Sequence, residues 1–457
     1  MNDFTSLPLA PPLQQALETL EYRVPTPVQA QALPALLAGH DLIAQAPTGS
    51  GKTVAFGLAL LQRIDPALIR AQALVLCPTR ELADQVGKEI RRLAAFIPNL
   101  KLLILSGGVS LRPQLASLEQ HDPHIVVGTP GRVQELIRKK VLHLAGVRTL
   151  VLDEGDRMLD MGFEEAIREI AQKTPPQRQT LVFSATWPEA MRGIARTLMR
   201  EPVEVTVGDA PAVTPVEQLF HEVEHATRIG ALAGLLLQHT PESTVVFCNT
   251  RRDVDEVAAA LAQAGFSALA LHGDMAQRDR DEVLLRFANR SCSVLVASDV
   301  AARGLDIAEL AAVVNFELPT DTDTYLHRIG RTARAGRGGL VLNLCTPREV
   351  PRALAIERLQ GTVLRWAKAP SAPARRAALQ APMVTLRIDA GRSEKMRPGD
   401  ILGALTGEAG LQSEAIGKID VFATRSYVAI RSNLANNALA RLREGRIKGR
   451  SVRVNRL

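Results

Sequence analysis

The 457-residue sequence predicts an α/β chain: two tandem domains, each a parallel sheet covered by helices, then a small α+β domain. Three observations carry this. Short apolar runs alternate with helical stretches over residues 25–208, and again to about residue 367. The first of these runs opens directly into a glycine-rich loop and a helix. From residue 383 the order becomes β-α-β-β-α-β, and the charge changes with it.

The first domain, residues 1–208, begins its sheet with a strand at 41–45 and a helix at 54–64. Further strands are expected at 73–77, 101–105, 125–127, 150–152 and 180–183, each bounded by Gly, Pro, Ser or Asp. A Pro-containing break at 208–216 precedes the second domain, residues 213–367, with strands at 218–223, 244–247, 268–271, 293–297, 312–316 and 339–344. Residues 368–382 are rich in Ala and Pro, lack apolar periodicity and read as a flexible linker. In the third domain, residues 383–457, strands are expected at 383–388, 415–421, 427–430 and 451–455, with helices at 398–406 and 434–442.

Composition narrows the class. Aromatics make up only 4% of the chain, so Leu, Val, Ile and Ala must build its cores. There is no uncharged apolar run of about 18 residues, which argues against a membrane span, and no basic leader stretch beside Asp3. The four cysteines, Cys77, Cys248, Cys292 and Cys345, are scattered, which fits a reduced cytoplasmic protein rather than a disulfide framework or zinc site. Residues 368–457 hold 17 Lys and Arg against 7 Asp and Glu, and residues 1–367 hold 38 against 41. The basic character belongs to the C-terminal fifth, as a nucleic-acid-binding domain would have it.

Ala46, Pro47, Thr48, Gly49, Ser50, Gly51, Lys52 and Thr53 form the glycine-rich loop, with Ala46 where the consensus has Gly. In such a loop backbone N–H groups and the following helix N-terminus cradle phosphate, Lys52 reaches the outer phosphates and Thr53 offers a hydroxyl to Mg²⁺. A strand ending at Leu152 runs into Asp153, Glu154, Gly155 and Asp156. There Asp153 can hold Mg²⁺ and Glu154 can orient and polarise the attacking water. The expected cofactors are ATP and Mg²⁺.

With these motifs in place, residues 4–345 resemble the DEAD-box RNA helicases of superfamily 2, which implies two RecA-like lobes and RNA-stimulated ATP hydrolysis. The resemblance implies nucleotide contacts from Phe4, Tyr22, Gln29, Gly304 and Asp306, with Gln29 reading the adenine edge. It implies RNA contacts from Pro78, Thr79, Arg80, Gly107, Gly108, Thr129, Pro130, Gly131 and Arg132 in the first lobe. In the second lobe it implies them from Gly273, Gln277, Arg280, Ser298 and Asp299. Asp156, Ser184 and Thr186 would couple nucleotide state to RNA, and Arg331 with Arg334 would supply the arginine finger. Three positions depart from the family pattern. Gly155 replaces the family's Ala, for which a looser turn is expected with chemistry intact; Glu21 and Ala333 each replace Gly.

The third domain suggests an RRM-like fold, but Thr424 to Ile430 carries only one aromatic, Tyr427, where the usual stacking signature has several. Recognition is expected to use Arg387, Arg392, Lys395, Arg397, Lys418, Arg425 and Lys448 with RNA shape. A helicase core followed by such a domain resembles the DbpA subfamily. That resemblance implies a 23S ribosomal RNA element near the peptidyl-transferase region, large-subunit precursor particles as partners, a monomer and no membrane association. Two rivals stay open: an ATP-gated RNA clamp or scaffold that does not unwind, and a DNA translocase.

Overall fold

The computed structural model describes residues 3–47, 49–207, 216–302, 310–332, 338–371, 380–408 and 410–457. They fall into two compact units, with the break between residues 212 and 213.

The first unit is built on β1 (Leu42–Gln45), β2 (Ala73–Leu76), β3 (Leu102–Leu105), β4 (Ile125–Gly128), β5 (Thr149–Asp153), β6 (Gln179–Ser184) and β7 (Val203–Thr206). Their order is β3-β4-β2-β5-β6-β1-β7, with every pair parallel. Strands buried on both faces read as unbroken apolar runs, and β2, β4 and β5 do so. Period-two alternation sorts their side chains into two helix layers. Val75 and Val151 join Leu33, Phe56 and Phe183 on one face. Leu74, Leu150 and Leu152 join Met158, Ile167 and Met191 on the other. The edge strand β7 was not expected; only its Val205 is buried, so it lacks the apolar run that marks its neighbours.

The second unit repeats the plan. Its strands are β8 (Val216–Glu222), β9 (Thr244–Cys248), β10 (Ala268–Leu271), β11 (Val294–Ser298), β12 (Ala312–Asn315), β13 (Gly339–Cys345) and β14 (Trp366–Lys368), in the order β10-β11-β9-β12-β13-β8-β14. Numbered from each lobe's first strand, this is the order of the first sheet. The unexpected β14 takes Lys368 out of the anticipated linker and pairs it with Glu222. Residues 372–379 of that linker lie outside the described residues.

The C-terminal domain carries β15 (Met383–Ile388), β16 (Ile416–Val421), β17 (Ser426–Arg431) and β18 (Val454–Arg456) in an antiparallel sheet ordered β16-β17-β15-β18. Leu386, Ile388, Val428 and Ile430 pack against Ile401, Leu405, Ala438 and Leu442 from its two helices. The first helix, Pro398–Gly403, continues into a wider π turn, Ala404–Glu408.

Candidate active site and RNA-facing edge

In a parallel sheet every strand ends at the same edge, and that edge of the first sheet gathers the motifs. Taken in strand order, Gly107 and Gly108 follow β3, 129–132 follow β4 and 78–80 follow β2. Next come 153–156 at β5, Ser184 to Thr186 at β6 and the glycine-rich loop at β1. The three segments expected on RNA therefore occupy one half of the edge, and the three expected to bind nucleotide, hold the catalytic acids or couple nucleotide state to RNA occupy the other.

The loop's geometry comes from its glycines. Gly49 and Gly51 have φ of 83° and 92°, which side-chain-bearing residues rarely adopt. A Cβ on Gly51 would lie 2.5 Å from Gln29 Nε2. Thr26 and Gln29 form a capping box on the helix Pro27–Ala38 and brace the loop from it. The Thr26 hydroxyl donates to Ser50 O at 2.7 Å, and Gln29 Nε2 donates to Gly51 O at 3.0 Å. Gln29 Oε1 accepts from the Thr26 amide at 2.8 Å. Lys52 opens the next helix, Lys52–Gln62, buried, its Nζ donating to Ala46 O at 2.8 Å. Burial holds its pKa below the usual lysine value, against the pull of Asp153, Glu154 and Asp156. Ala46 is buried and its amide donates to Ser184 O at 3.0 Å, tying the loop to β6. Thr53 is half-buried one residue into the helix. The Tyr22 hydroxyl donates to Glu89 at 2.8 Å. Phe4, expected on the nucleotide, is instead buried in the first lobe's apolar core.

Burial pushes the Asp153 carboxyl up to about 7, with Lys52 opposing and Glu154 adding to the rise. Such a buried, under-compensated carboxylate, with Lys52 close to it and the Thr53 hydroxyl at the start of the phosphate-loop helix, has the donor chemistry for a divalent cation. Glu154 sits in the left-handed region, φ 51° and ψ 53°, and its carboxylate accepts from Arg157 at 2.9 Å. Arg157, buried at i+3, was not foreseen as its partner. Asp156 links the two motifs. Its carboxylate accepts from the Thr186 amide and hydroxyl, both at 2.8 Å, and its own amide donates to Ser184 Oγ at 3.2 Å. Gly155 opens the helix Gly155–Asp160. A Cβ there would lie 2.4 Å from Met191 Cε, so the buried Met191 fills the space of the missing methyl.

On the other half of the edge, Thr79 caps the helix Arg80–Leu93 by accepting from the Leu82 amide at 3.2 Å, and Pro130 starts the helix Pro130–Arg138. The Gly107 amide donates to Thr129 Oγ1 at 3.3 Å, and Gly108 has φ 75°. Arg132 donates to Gln114 at 2.8 Å and Val109 O at 3.1 Å. Pro78, Arg80 and Gly131 lie in the same loops.

In the second lobe the strongest polar centre is Arg328, to which sequence reasoning gave no role of its own. It is buried. Both of its edges are used: Nε and Nη2 donate to the two Asp299 oxygens, each at 2.7 Å. Its nitrogens also donate to Asn315 and Asn249 at 2.9 Å and to Glu317 O at 2.7 Å, and the group lies over the Phe247 ring. Asp299, expected on RNA, thus turns its carboxylate inward to this arginine. Arg331 is buried two residues past the end of the helix Thr322–Ile329, and Ser298 is buried at the end of β11. Gln277 donates to Asp281 at 2.9 Å at the start of the helix Gln277–Ala288, which also carries Arg280. A Cβ on Gly273 would meet nothing within 4 Å. Thr48, Gly304, Asp306 and Arg334 lie outside the described residues.

In the C-terminal domain Arg392, Lys395, Arg397, Lys418 and Lys448 are exposed. Lys418 pairs with Asp420 at 3.2 Å, and Arg425 lies 3.8 Å from Asp389. Arg387 does not face outward as expected: Asp389 at 3.1 Å and Glu282 of the second lobe at 3.8 Å hold it.

Residues 26–194 match the DEAD/DEAH box helicase family, 227–336 the helicase conserved C-terminal domain and 385–456 the DbpA RNA binding domain. The chain is 53% identical over 458 residues, the full length of both, to the ATP-dependent RNA helicase DbpA of Escherichia coli. It is 44% identical over 359 residues to the DEAD-box ATP-dependent RNA helicase CshA of Bacillus cereus, covering 78% of this chain and 68% of that one. Among solved structures it resembles S. cerevisiae Dbp5 bound to RNA and ADP BeF3, with a TM-score of 0.73 and 29% identity over 81% of this chain and 96% of the other.

Proposed function

The chain belongs to the DEAD-box ATP-dependent RNA helicases with a DbpA-type RNA-binding domain, and on that premise we propose that it opens short RNA duplexes within a 23S ribosomal RNA element during large-subunit assembly. The observation that carries the coupling is the bond set from Asp156 to Ser184 and Thr186, which joins the acid motif to the strand beside the phosphate loop. Full-length identity with a helicase that has the same C-terminal domain supports the ribosomal target.

In this reading Lys52 leaves the Ala46 carbonyl for the outer phosphates of ATP, and Glu154 positions and deprotonates the attacking water. Asp153 and Thr53 would hold a divalent cation, which would supply charge neutralisation at the phosphates. Arg331 and Arg334 stabilise the charge that develops there. The amides and hydroxyls at 78–80, 107–108 and 129–132 grip the RNA backbone, so the first-lobe core binds without reading sequence. In this reading the protein works as a cytoplasmic monomer.

Release of a labelled short strand from a duplex joined to a 23S fragment tests the proposal. ATP-dependent release is expected. Tight ATP-dependent binding with no release would favour the clamp, and equal stimulation by DNA would favour a translocase.

A further inference from the structure

The sheet of the C-terminal domain has two faces, and neither is open. One is the domain's own core. On the other stand Thr385 and Arg387, with Ala429 and Tyr427 directly opposite them in the antiparallel register. That second face is seated on the second lobe. The Thr385 hydroxyl is hydrogen-bonded to the Ser291 hydroxyl at 2.7 Å, and Asn289 Nδ2 donates to it at 3.4 Å. The Met383 amide donates to Arg290 O at 3.3 Å, and the Ala381 amide to Ser267 Oγ at 2.9 Å. Arg387 meets Glu282. Thr385 is 0% exposed, Ala429 1% and Tyr427 8%. A sheet that stacks bases presents aromatic rings on an open face. Here one aromatic remains and the second lobe covers its face.

What stays open is the loop end of the domain. Phe422 stands there 48% exposed, edge-on to Tyr427 at 5.7 Å. Sequence reasoning missed it because it lies outside the usual stacking signature. The turn at 392–395 braces it: the amides of Arg392 and Ser393 donate to the carbonyls of Phe422 and Ala423, each at 2.8 Å. Gly391 permits that approach, since a Cβ there would lie 2.4 Å from Phe422 O. On the other side of the same turn, Lys448 Nζ donates to Lys395 O at 2.9 Å and lies 3.5 Å from Asp400. Beside it opens a groove of about 450 Å³ lined by Gly399, Gly403, Gly407, Asp400, Arg446 and Lys448. A Cβ on any of those three glycines would meet nothing within 4 Å, so a ligand can approach the backbone there. A braced turn therefore joins an exposed aromatic ring to a basic, glycine-walled groove.

We propose that the domain holds structured RNA at this loop end. An unpaired base stacks on Phe422, and the adjoining phosphates lie in the groove beside Arg446 and Lys448. The sheet face serves as the seat on the second lobe. The inference rests on the reading that this domain selects RNA. Stacking on an aromatic ring accepts any base, so choice comes from the shape that brings an unpaired base and a backbone turn to ring and groove together. Because the seat is hydrogen-bonded, RNA caught there is held in a set relation to the second lobe's own segments at Gly273 and Gln277.

The test is fluorescence anisotropy of the full-length protein with a labelled 23S fragment from the peptidyl-transferase region, at two salt concentrations. Phe422→Ala and Gly403→Leu, which fills the groove, should each weaken binding by about tenfold or more. Lys448→Glu should weaken it and make the salt dependence shallower. Tyr427→Phe, on the seated face, should bind as the parent does. Melting curves matching the parent establish that each variant is folded, and three surface variants keep the outcome from resting on one. If Phe422→Ala, Gly403→Leu and Lys448→Glu all bind like the parent while a chain ending at residue 371 loses the fragment, RNA is read elsewhere on the domain and this inference fails alone. If the chain ending at residue 371 binds like the parent, the selecting role of the domain fails, and this inference with it.

Discussion

The two lobes share one strand order and use its edge differently. In the first, the strand at the β1 position runs into the phosphate loop and the strand at the β5 position into Asp153 and Glu154. In the second, the equivalent strands run into Val223 and Glu224 and into Phe316 and Glu317. The buried charges differ in kind. Asp153 and Lys52 are each shifted towards neutrality by burial, a pair left open to chemistry. Arg328 is closed: Asp299, Asn315, Asn249 and a carbonyl engage its guanidinium. A fold supplies an edge, and the loops decide whether charge there is spent on structure or kept for substrate.

If that contrast is right, the largest loss of stability comes from the second lobe. Arg328→Ala empties a buried site and strips their shared partner from the half-buried Asp299 and the buried Asn315, and should cost about 2–4 kcal/mol, read as a lowered denaturation midpoint. In the first lobe the loss should fall on rate instead. Glu154→Gln should lower single-turnover hydrolysis by roughly two orders of magnitude or more, while ATP and RNA still bind and the melting temperature falls by less than for Arg328→Ala, because the glutamine oxygen can still accept from Arg157. Unfolding by this variant would break the comparison.

Gly155→Ala, the change that restores the family residue, should change stability by less than about 1.5 kcal/mol, because the new methyl meets only the flexible end of Met191, which can turn aside. The smallest effect is electrostatic. With no divalent cation, the Asp153 carboxyl takes up its proton at about 7 in the folded protein and at 3.8 when unfolded. The folded state then binds more protons between those values, so this group's contribution to stability falls as pH rises from 3.8 to about 7. Asp153→Asn should remove that slope, seen as a few degrees of melting temperature between pH 5 and about 7.5.

The contrast also explains what could be read from residues alone. Parallel strands announce themselves as apolar runs, and Lys52, Asp153 and Glu154 stand at fixed steps after them. The edge strands β7 and β14 have no such run, because a half-covered strand needs little apolar side chain. Gln29 was visible, but its hold on the loop depends on a capping box whose Thr26-to-Gln29 spacing carried the signal unread. Met191, Arg328 and the seating of Thr385 on Ser291 depend on contacts between segments distant in sequence, and no local pattern encodes them.

One division of labour underlies this account: the first lobe's edge does the chemistry and the C-terminal domain chooses the RNA. It is tested most directly by ATP hydrolysis stimulated by a 23S fragment and by an unrelated RNA of equal length, for the full chain and for a chain ending at residue 371. The account predicts strong preference for the ribosomal fragment in the full chain, and equal, weaker stimulation by both RNAs in the shortened one. A shortened chain that keeps the full preference would contradict it.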